Sequence, residues 1–201
     1  MGEKQIFQPL SRKEVITVVL YRIGIVMSAI IISGLAYLLA TESSISSTSR
    51  IGPSADLLVY CLYASVGISV FCIHLYMRKL KTYLKNLYFI SLGCFVVILF
   101  CGKGSLSGAL TQEPYSPLLL LPLSGCMGFV TAKEAFCFKL LEGYLLAMLM
   151  PIYLLLVSGF VLTGQSASSG LILIAAIMVL FTLRKVFMPI AYDVGDKSAY
   201  R

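Results

Sequence analysis

The sequence predicts an all-α protein, a polytopic transmembrane helical bundle of about six spans with its N-terminus and C-terminus both inside. Three observations predict this fold class: the length and number of the apolar segments, the uneven placement of basic residues between them, and a composition that is 59% hydrophobic and only 12% charged. Soluble domains are roughly 45 to 50% apolar and about 25% charged. The predicted organisation is a polar tail (1–14), a membrane domain (15–188) and a second polar tail (189–201).

Six apolar segments supply the spans. Five of them approach or exceed the roughly 20 residues that a helix needs to cross a hydrocarbon core ~30 Å thick. They are expected to be helices, because backbone groups in lipid must be paired within the segment and the period-2 pattern of barrel strands is missing. In chain order the predicted spans are Val15–Ala40, Leu57–Met77, Leu84–Cys101, Pro117–Ala132, Gly143–Leu162 and Leu171–Met188.

The first three spans are bounded by polar segments of different character. Span one follows the short polar stretch Met1–Glu14 and is too long for the core of a signal peptide, so we expect it to be retained. The loop Thr41–Asp56 is rich in Ser and Thr and is predicted to be a flexible connector to span two. A loop with four basic residues, within 78–85, precedes span three.

The last three spans have shorter connections. The loop Gly102–Ser116, rich in Gly, precedes span four, which is marginal in length unless its helix continues through Lys133 and beyond. A polar inner turn that contains Lys139 joins spans four and five. The connection Thr163–Gly170 before span six is uncharged and very short.

The basic residues orient the bundle. With loops alternating across a bilayer, 13 of the 16 Lys and Arg residues fall on one side, only Arg50 and Lys103 fall on the other, and Arg22 lies inside span one. Basic residues that flank spans remain on the cytoplasmic side, which predicts that both termini are inside. The net charge of +7 is therefore attributed to topology and anionic lipid. The expected partners are the lipid bilayer and a membrane-protein complex, and no nucleic acid.

The cysteines and the absence of catalytic motifs argue against several classes of function. All six cysteines lie in or beside apolar spans and form no CxxC pair, so they are predicted to be buried thiols and no metal site is expected. The segment 121–125, Leu-Pro-Leu-Ser-Gly, only partly matches the Gly-x-Ser-Gly motif of intramembrane serine proteases, and His74 precedes it. No other catalytic motif is present, so an enzyme is disfavoured.

Ionisable residues near the inner ends of spans form a candidate inner-leaflet polar site. Such groups cost roughly 2.5 to 3.5 kcal/mol at the bilayer centre, so they usually face a partner or a cavity. If the chain is helical after Thr131, Glu134 and Glu142 share one helix face about 12 Å apart. We expect one of them to pair with Arg22, either as a structural salt bridge or as part of a pocket for a ligand, headgroup or pigment. The candidate residues are Arg22, His74, Lys133, Glu134, Lys139 and Glu142.

His74 is the sole histidine of the chain. In a membrane helix a neutral imidazole can form a hydrogen bond across the bundle, transfer protons, or bind a metal or the magnesium of chlorophyll. One histidine cannot supply both axial ligands of a bis-histidine haem. No cofactor is predicted from the sequence, and chlorophyll or another pigment bound through His74 is kept as an alternative.

Two segments carry a family resemblance: Gly67–Tyr76, which is followed by a basic loop, and Gly125–Gly143, with its core Lys-Glu-Ala-Phe-Cys-Phe at 133–138. The chain resembles the uncharacterised integral membrane proteins of cyanobacteria and chloroplasts that are classed as a domain of unknown function, from about Leu57 through span six. The resemblance implies a photosynthetic source and a bacterial plasma membrane or thylakoid membrane, and it supplies no catalytic residues.

The function that these observations favour is that of an accessory, scaffold or assembly factor for a photosynthetic membrane complex. No sizeable extramembrane domain is predicted, so any chemistry must lie within the bundle or at its inner rim. The alternative is a small-solute or ion transporter that uses the inner-leaflet polar site.

Overall fold

A computed structural model of the chain describes residues 11–44, 53–75, 78–102, 115–190 and 193. Within these residues it has six α-helices that are long and apolar enough to cross a membrane, and no β-strand. The predicted all-α fold class is confirmed. The helices are α1 (Arg12–Ser44), α2 (Pro53–Cys72), α3 (Arg78–Cys101), α4 (Leu121–Phe138), α5 (Leu141–Ser158) and α6 (Gln165–Val186), and a 3-10 helix, Ser116–Leu120, leads into α4.

Some of the expectations concern residues outside the described ranges. These are residues 1–10 of the N-terminal tail, residues 45–52 and 103–114 of the first two outer loops, residues 76 and 77 at the end of predicted span two, and residues 191, 192 and 194–201 of the C-terminal tail. The division of the chain into two tails and a membrane domain therefore stays a prediction.

Helix α1 begins at a capping box. The backbone N–H of Glu14 donates to Ser11 Oγ at 3.3 Å, and the backbone N–H of Ser11 donates to Glu14 Oε2 at 2.7 Å. This reciprocal pair satisfies two donors that the first turn of a helix leaves unpaired. With 33 residues, α1 is roughly 50 Å long, which exceeds a hydrocarbon core of ~30 Å. Its polar first turns therefore extend beyond the apolar layer.

The helices pack as a bundle in which α1 contacts α2 and α6, α4 contacts α3 and α5, and α5 contacts α6. Small residues allow the closest approach. At Gly24 of α1, an added Cβ would lie 2.3 Å from Ser69 Oγ of α2, and nearby the hydroxyls of Ser28 and Ser65 are 2.9 Å apart. Lipid tails are as apolar as the side chains, so close packing and hydrogen bonds of this kind hold membrane helices together.

Helix α3 lies at the edge of the bundle. It packs on α4, on the 3-10 helix and, less extensively, on α2. Its outward side exposes large apolar side chains, which in a membrane face lipid. They include Phe89, Ile90, Val96, Val97 and Phe100.

The connection between α4 and α5 differs from the sequence-based expectation. The fourth span does continue through Lys133, but its helix ends at Phe138. Lys139 adopts a left-handed conformation with φ 54°, Leu140 is extended, and a new helix begins at Leu141. The expectation of one helix face that carries both Glu134 and Glu142 is wrong, because a left-handed residue ends the run of helical hydrogen bonds.

Candidate functional site

Glu134 is the centre of a buried ionic cluster at the end of the bundle where α1 begins and α4 and α6 end. The residue has 0% exposure. Its Oε1 accepts a hydrogen bond from the Tyr21 hydroxyl at 2.7 Å and lies 2.7 Å from Lys133 Nζ, while its Oε2 forms an ion pair with Lys185 Nζ. A carboxylate removed from water needs this degree of compensation to stay charged.

Lys185, in the last turn of α6, joins Glu134 to a second carboxylate. Its ammonium group forms a further ion pair with Asp193 Oδ1 and lies 4.0 Å from the centre of the Phe138 ring. The whole residue has 0% exposure. Two carboxylates and an aromatic face together replace the hydration that the ammonium group loses.

Arg22 of α1 completes the cluster. Its Nε lies 2.7 Å from Asp193 Oδ2. Its terminal nitrogens donate to three backbone carbonyls at the end of α6, those of Val186 at 3.3 Å, Met188 at 2.7 Å and Pro189 at 3.2 Å. The guanidinium thus caps the carbonyl end of α6, where the helix dipole favours a positive charge.

We define the ionic cluster as the five charged residues Arg22, Lys133, Glu134, Lys185 and Asp193. It contains three cations and two carboxylates, a formal charge of +1. Every cation in the cluster contacts at least one carboxylate. The cluster therefore links α1, α4 and α6 to the chain beyond α6.

The predicted pairing of Arg22 with Glu134 or Glu142 is wrong. Arg22 pairs with Asp193 instead, and Glu142 forms an ion pair with Arg184, whose side chain is 51% exposed. The clustering of charges at one end followed from the topology, but the partner of Arg22 comes from the predicted C-terminal tail. Asp193 follows the basic end of α6 in a segment predicted to be a polar tail, and nothing in the sequence indicates that its side chain is buried.

His74 and Lys139 stand apart from the ionic cluster. Helix α2 ends at Cys72, so His74 follows the span instead of lying one turn inside it, and its Nε2 is 3.3 Å from Thr17 Oγ1 of α1. Partial burial, and then the positive charges of Lys81 and Lys133, lower the pKa of His74. Lys139 is exposed at the α4–α5 turn.

Sequence reasoning missed three members of the site. Tyr21 gives no signal as an aromatic residue in an apolar helix, and its role appears only because its hydroxyl reaches Glu134. Lys185 lies at the inner end of predicted span six, where basic residues that orient the bundle are expected, so its position gives no signal of a buried ion pair. Asp193 is separated from the last span by Pro189, and its burial is apparent only from its contacts with Arg22 and Lys185.

The expectation that all six thiols are buried is only partly met. All six cysteines are free, Cys126 is buried, and two are partly buried. The other three are exposed: Cys61, Cys101 and Cys137. An exposed apolar side chain in a span faces lipid without penalty, so location within a span did not determine burial. Among the described residues, no three His, Cys, Asp or Glu side chains come together as a metal-binding group.

A bundle of six apolar helices with an ionic cluster buried at one end defines a polytopic integral membrane protein. The chain belongs to the family described as "Uncharacterized integral membrane protein (DUF2301)", whose model matches residues 68–201. The match begins within α2 and includes Lys133, Glu134, Lys185 and Asp193. No curated protein and no solved structure matches the chain.

Proposed function

We propose that this membrane protein is a non-catalytic accessory, scaffold or assembly factor for a membrane complex. The observation that carries the proposal is the mutual pairing of the charges in the ionic cluster. Its carboxylates are engaged by Lys and Arg side chains of the same bundle, as expected of groups that fix the arrangement of helices. A site for turnover of a substrate would need at least one reactive group directed at the position of the substrate.

We propose further that this complex lies in a photosynthetic membrane, either a thylakoid membrane or a bacterial plasma membrane. The support is the resemblance carried by the segments 67–76 and 125–143. Membership of the family supports the integral membrane location itself.

The test is mild solubilisation of native membranes that contain a tagged chain, followed by affinity purification and quantitative mass spectrometry. The proposal expects membrane-protein partners at a fixed stoichiometry, and slower assembly of their complex when the chain is deleted. A chain that purifies alone, with normal assembly of all membrane complexes after its deletion, would overturn the proposal.

The same purified material tests for a bound pigment. The lowered pKa of His74 favours the neutral imidazole, which is the form that binds a metal, but Nε2 is already close to Thr17. Chlorophyll bound through His74 would give absorption bands that the substitution His74→Leu removes. Bands that persist in this variant would assign the pigment to another site or to a partner.

Transport of a small solute or an ion is the second candidate. It is favoured by Lys185, which bridges two carboxylates on different segments of the chain. If the ammonium group of Lys185 left one carboxylate and stayed with the other, the bundle would change between two arrangements, as a transporter requires. The test is flux in proteoliposomes that contain the wild type or Glu134→Gln, with Glu142→Gln as the matched control. Flux that only Glu134→Gln abolishes, in correctly folded protein, would favour transport over the scaffold.

A further inference from the structure

A cavity of about 320 Å³ lies in the half of the bundle opposite the ionic cluster. Its walls come from the second half of α1, the first half of α2, the 3-10 helix with the start of α4, the second half of α5 and the first half of α6. Only α3, among the described helices, contributes no lining residue. The cavity thus lies between the helices of the bundle and is partly open to its surroundings.

The walls of the cavity are almost entirely aliphatic. Two of the described lining residues carry hydroxyl groups, and both hydroxyls already donate to the backbone: Tyr153 to the carbonyl of Ala167 at 3.0 Å, and Ser124 to that of Leu121 at 2.9 Å. A buried water needs about three hydrogen bonds. Away from Asp56, the lining residues that the structure describes offer too few partners to hold water.

Among the lining residues that the structure describes, Asp56 is the one acidic or basic side chain. It lies in the first turn of α2 and is partly buried, as are Leu38 and Val157 nearby in the lining. Asp56 is near the start of α2, and Leu38 and Val157 are near the ends of α1 and α5, so we call this end of the cavity its rim.

We propose that the cavity binds one flexible hydrocarbon chain, whose polar headgroup stays at the rim. An empty space of this size would leave the side chains around it without dispersion contacts. Apolar cavities of only about 150 Å³ already bind small hydrocarbons in preference to water. The volume lies at the low end of ligand-binding pockets, roughly 300 to 1,000 Å³, so the cavity accommodates one chain and not a complete two-chain lipid.

The proposed site is separate from the ionic cluster. Fully buried apolar side chains, including Val130, Met178 and Phe181, fill the bundle between the two. Binding of a chain is therefore expected to be independent of the charges at the other end. The inference does not rest on the scaffold proposal.

An apolar chain of this kind has two sources in a membrane: the acyl chain of a bilayer lipid, or an isoprenoid. The test uses the full chain in lipid nanodiscs and two photoactivatable probes. One is a phosphatidylcholine with a diazirine midway along one acyl chain, and the other is a farnesol analogue with a diazirine. Cross-linked residues are identified by mass spectrometry of peptides.

Labelling is expected at interior wall positions, such as Met127, Met150 and Ile174, in excess of labelling at the lipid-facing positions Val97 and Phe100 of α3. Interior labelling by the phospholipid probe that excess unlabelled farnesol leaves unchanged assigns bulk lipid. Interior labelling by the farnesol probe that persists in excess phospholipid assigns an isoprenoid. Labelling of lipid-facing positions alone would overturn the proposal.

A substitution that fills the cavity provides a second test of the proposed binding site. Ala55→Phe introduces a ring at a buried lining position of α2 and should lower interior labelling about tenfold, the effect of ~1.4 kcal/mol of lost affinity. Ala64→Phe makes the same change at an exposed position of the same helix and should leave labelling unchanged. If Ala55→Phe does not fold, Ile174→Phe replaces it on α6. Interior labelling that survives in a folded cavity-filling variant would overturn the proposal, whereas Glu134→Gln should not alter it.

Discussion

Glu134 and Lys185 are charged side chains that have no contact with solvent in the bundle. They can remain charged because each has at least two partners of opposite charge or hydrogen-bonding capacity. The balance is delicate, since removing one member of a buried pair leaves the other charge uncompensated. The loss of stability that a substitution causes therefore depends on which charged partners remain buried without a counter-charge.

Glu134→Gln should destabilise the folded protein by roughly 3 to 5 kcal/mol, the range for a buried pair that loses one partner. Lys133 and Lys185 would then face a neutral amide in place of a carboxylate. The measurement is the free energy of unfolding in detergent. The matched control is Glu142→Gln, whose partner Arg184 is half-exposed, and a loss of at most about 1 kcal/mol is expected there. Equal losses in both variants would contradict the special role of Glu134.

Arg22 and Asp193 should be energetically coupled, whereas Arg22 and Glu142 should not. A double-mutant cycle with Arg22→Met and Asp193→Asn should give a coupling energy within the roughly 0.5 to 3 kcal/mol found for contacting residues. The cycle of Arg22→Met with Glu142→Gln should give a value near zero. Strong coupling in the second cycle and none in the first would show that the C-terminal segment does not bind Arg22.

His74 should make the stability of the protein depend on pH. Its pKa in the folded state is lowered from 6.5, first by burial and then by Lys81 and Lys133, against smaller opposite effects of Glu14 and Asp193. The folded state then binds a proton less readily than the unfolded chain. The contribution of neutral His74 to the free energy of unfolding is therefore fully present above its ordinary pKa of 6.5, and it is lost as the pH falls from 7 towards 5.

The measurement is the free energy of unfolding in detergent at several pH values between 5 and 7. His74→Gln should reduce the loss at low pH, while Thr17→Val, which retains the imidazole, should keep it. A wild type whose stability rises as the pH falls would contradict the lowered pKa of His74.

At the scale of the helix, close contacts between elements depend on a few positions without a side chain. Gly143, in the first turn of α5, is such a position: an added Cβ would lie 2.5 Å from the backbone carbonyl oxygen of Thr131 in α4. A backbone atom cannot move aside as the end of a flexible side chain can. The distance between α4 and α5 therefore requires glycine at this position.

Gly143→Ala should destabilise the bundle by about 1 to 3 kcal/mol, the usual cost of overpacking a core. Gly93→Ala is the matched control in α3, because nothing lies within 4 Å of the added Cβ. That control should be neutral or more stable by up to about 1 kcal/mol, since alanine favours a helix over glycine. Unfolding of both variants in detergent provides the comparison. A neutral Gly143→Ala would mean that α4 and α5 are not held in this contact.

At the scale of the whole molecule, the ionic cluster and the predicted inner side coincide. The cluster lies where α1 begins and where α4 and α6 end, and the positive excess of the chain is predicted for that same side. Charges at the ends of helices cost less than charges at the bilayer centre, because polar headgroups and water are close. The opposite half of the bundle holds the apolar cavity.

The orientation predicts the accessibility of single cysteines in a background without the six native ones. A cysteine in place of Thr82, exposed near the start of α3, should react with an impermeant maleimide from the inner side. A cysteine in place of Thr163, exposed between α5 and α6, should react from the outer side. Both reactions are followed by a mass shift in sealed vesicles of known orientation. Reaction of both positions from the same side would contradict six crossings.

The sequence by itself determined the helical class, the six spans and the gathering of ionisable residues at one end. These properties follow from the length of the apolar runs and from the charges beside them, which are set by transfer between water and lipid and need no knowledge of neighbours. The identification of Arg22, Lys133 and Glu134 as members of one polar region had the same basis.

Only the tertiary structure decided which charge meets which. Arg22 pairs with Asp193 because residues that follow α6, namely Met188, Pro189 and Asp193, contact this side chain of α1. Glu134 and Glu142 lie in different helices because Lys139 ends α4 in a left-handed conformation. Likewise, Cys126 is buried and Cys137 is exposed although both lie in α4, because Cys126 is in the middle of the helix and Cys137 is in its last turn, where fewer neighbours cover it. The rotation of each helix and the course of its connections depend on packing between segments distant in the chain, and hydropathy within a single span does not specify them.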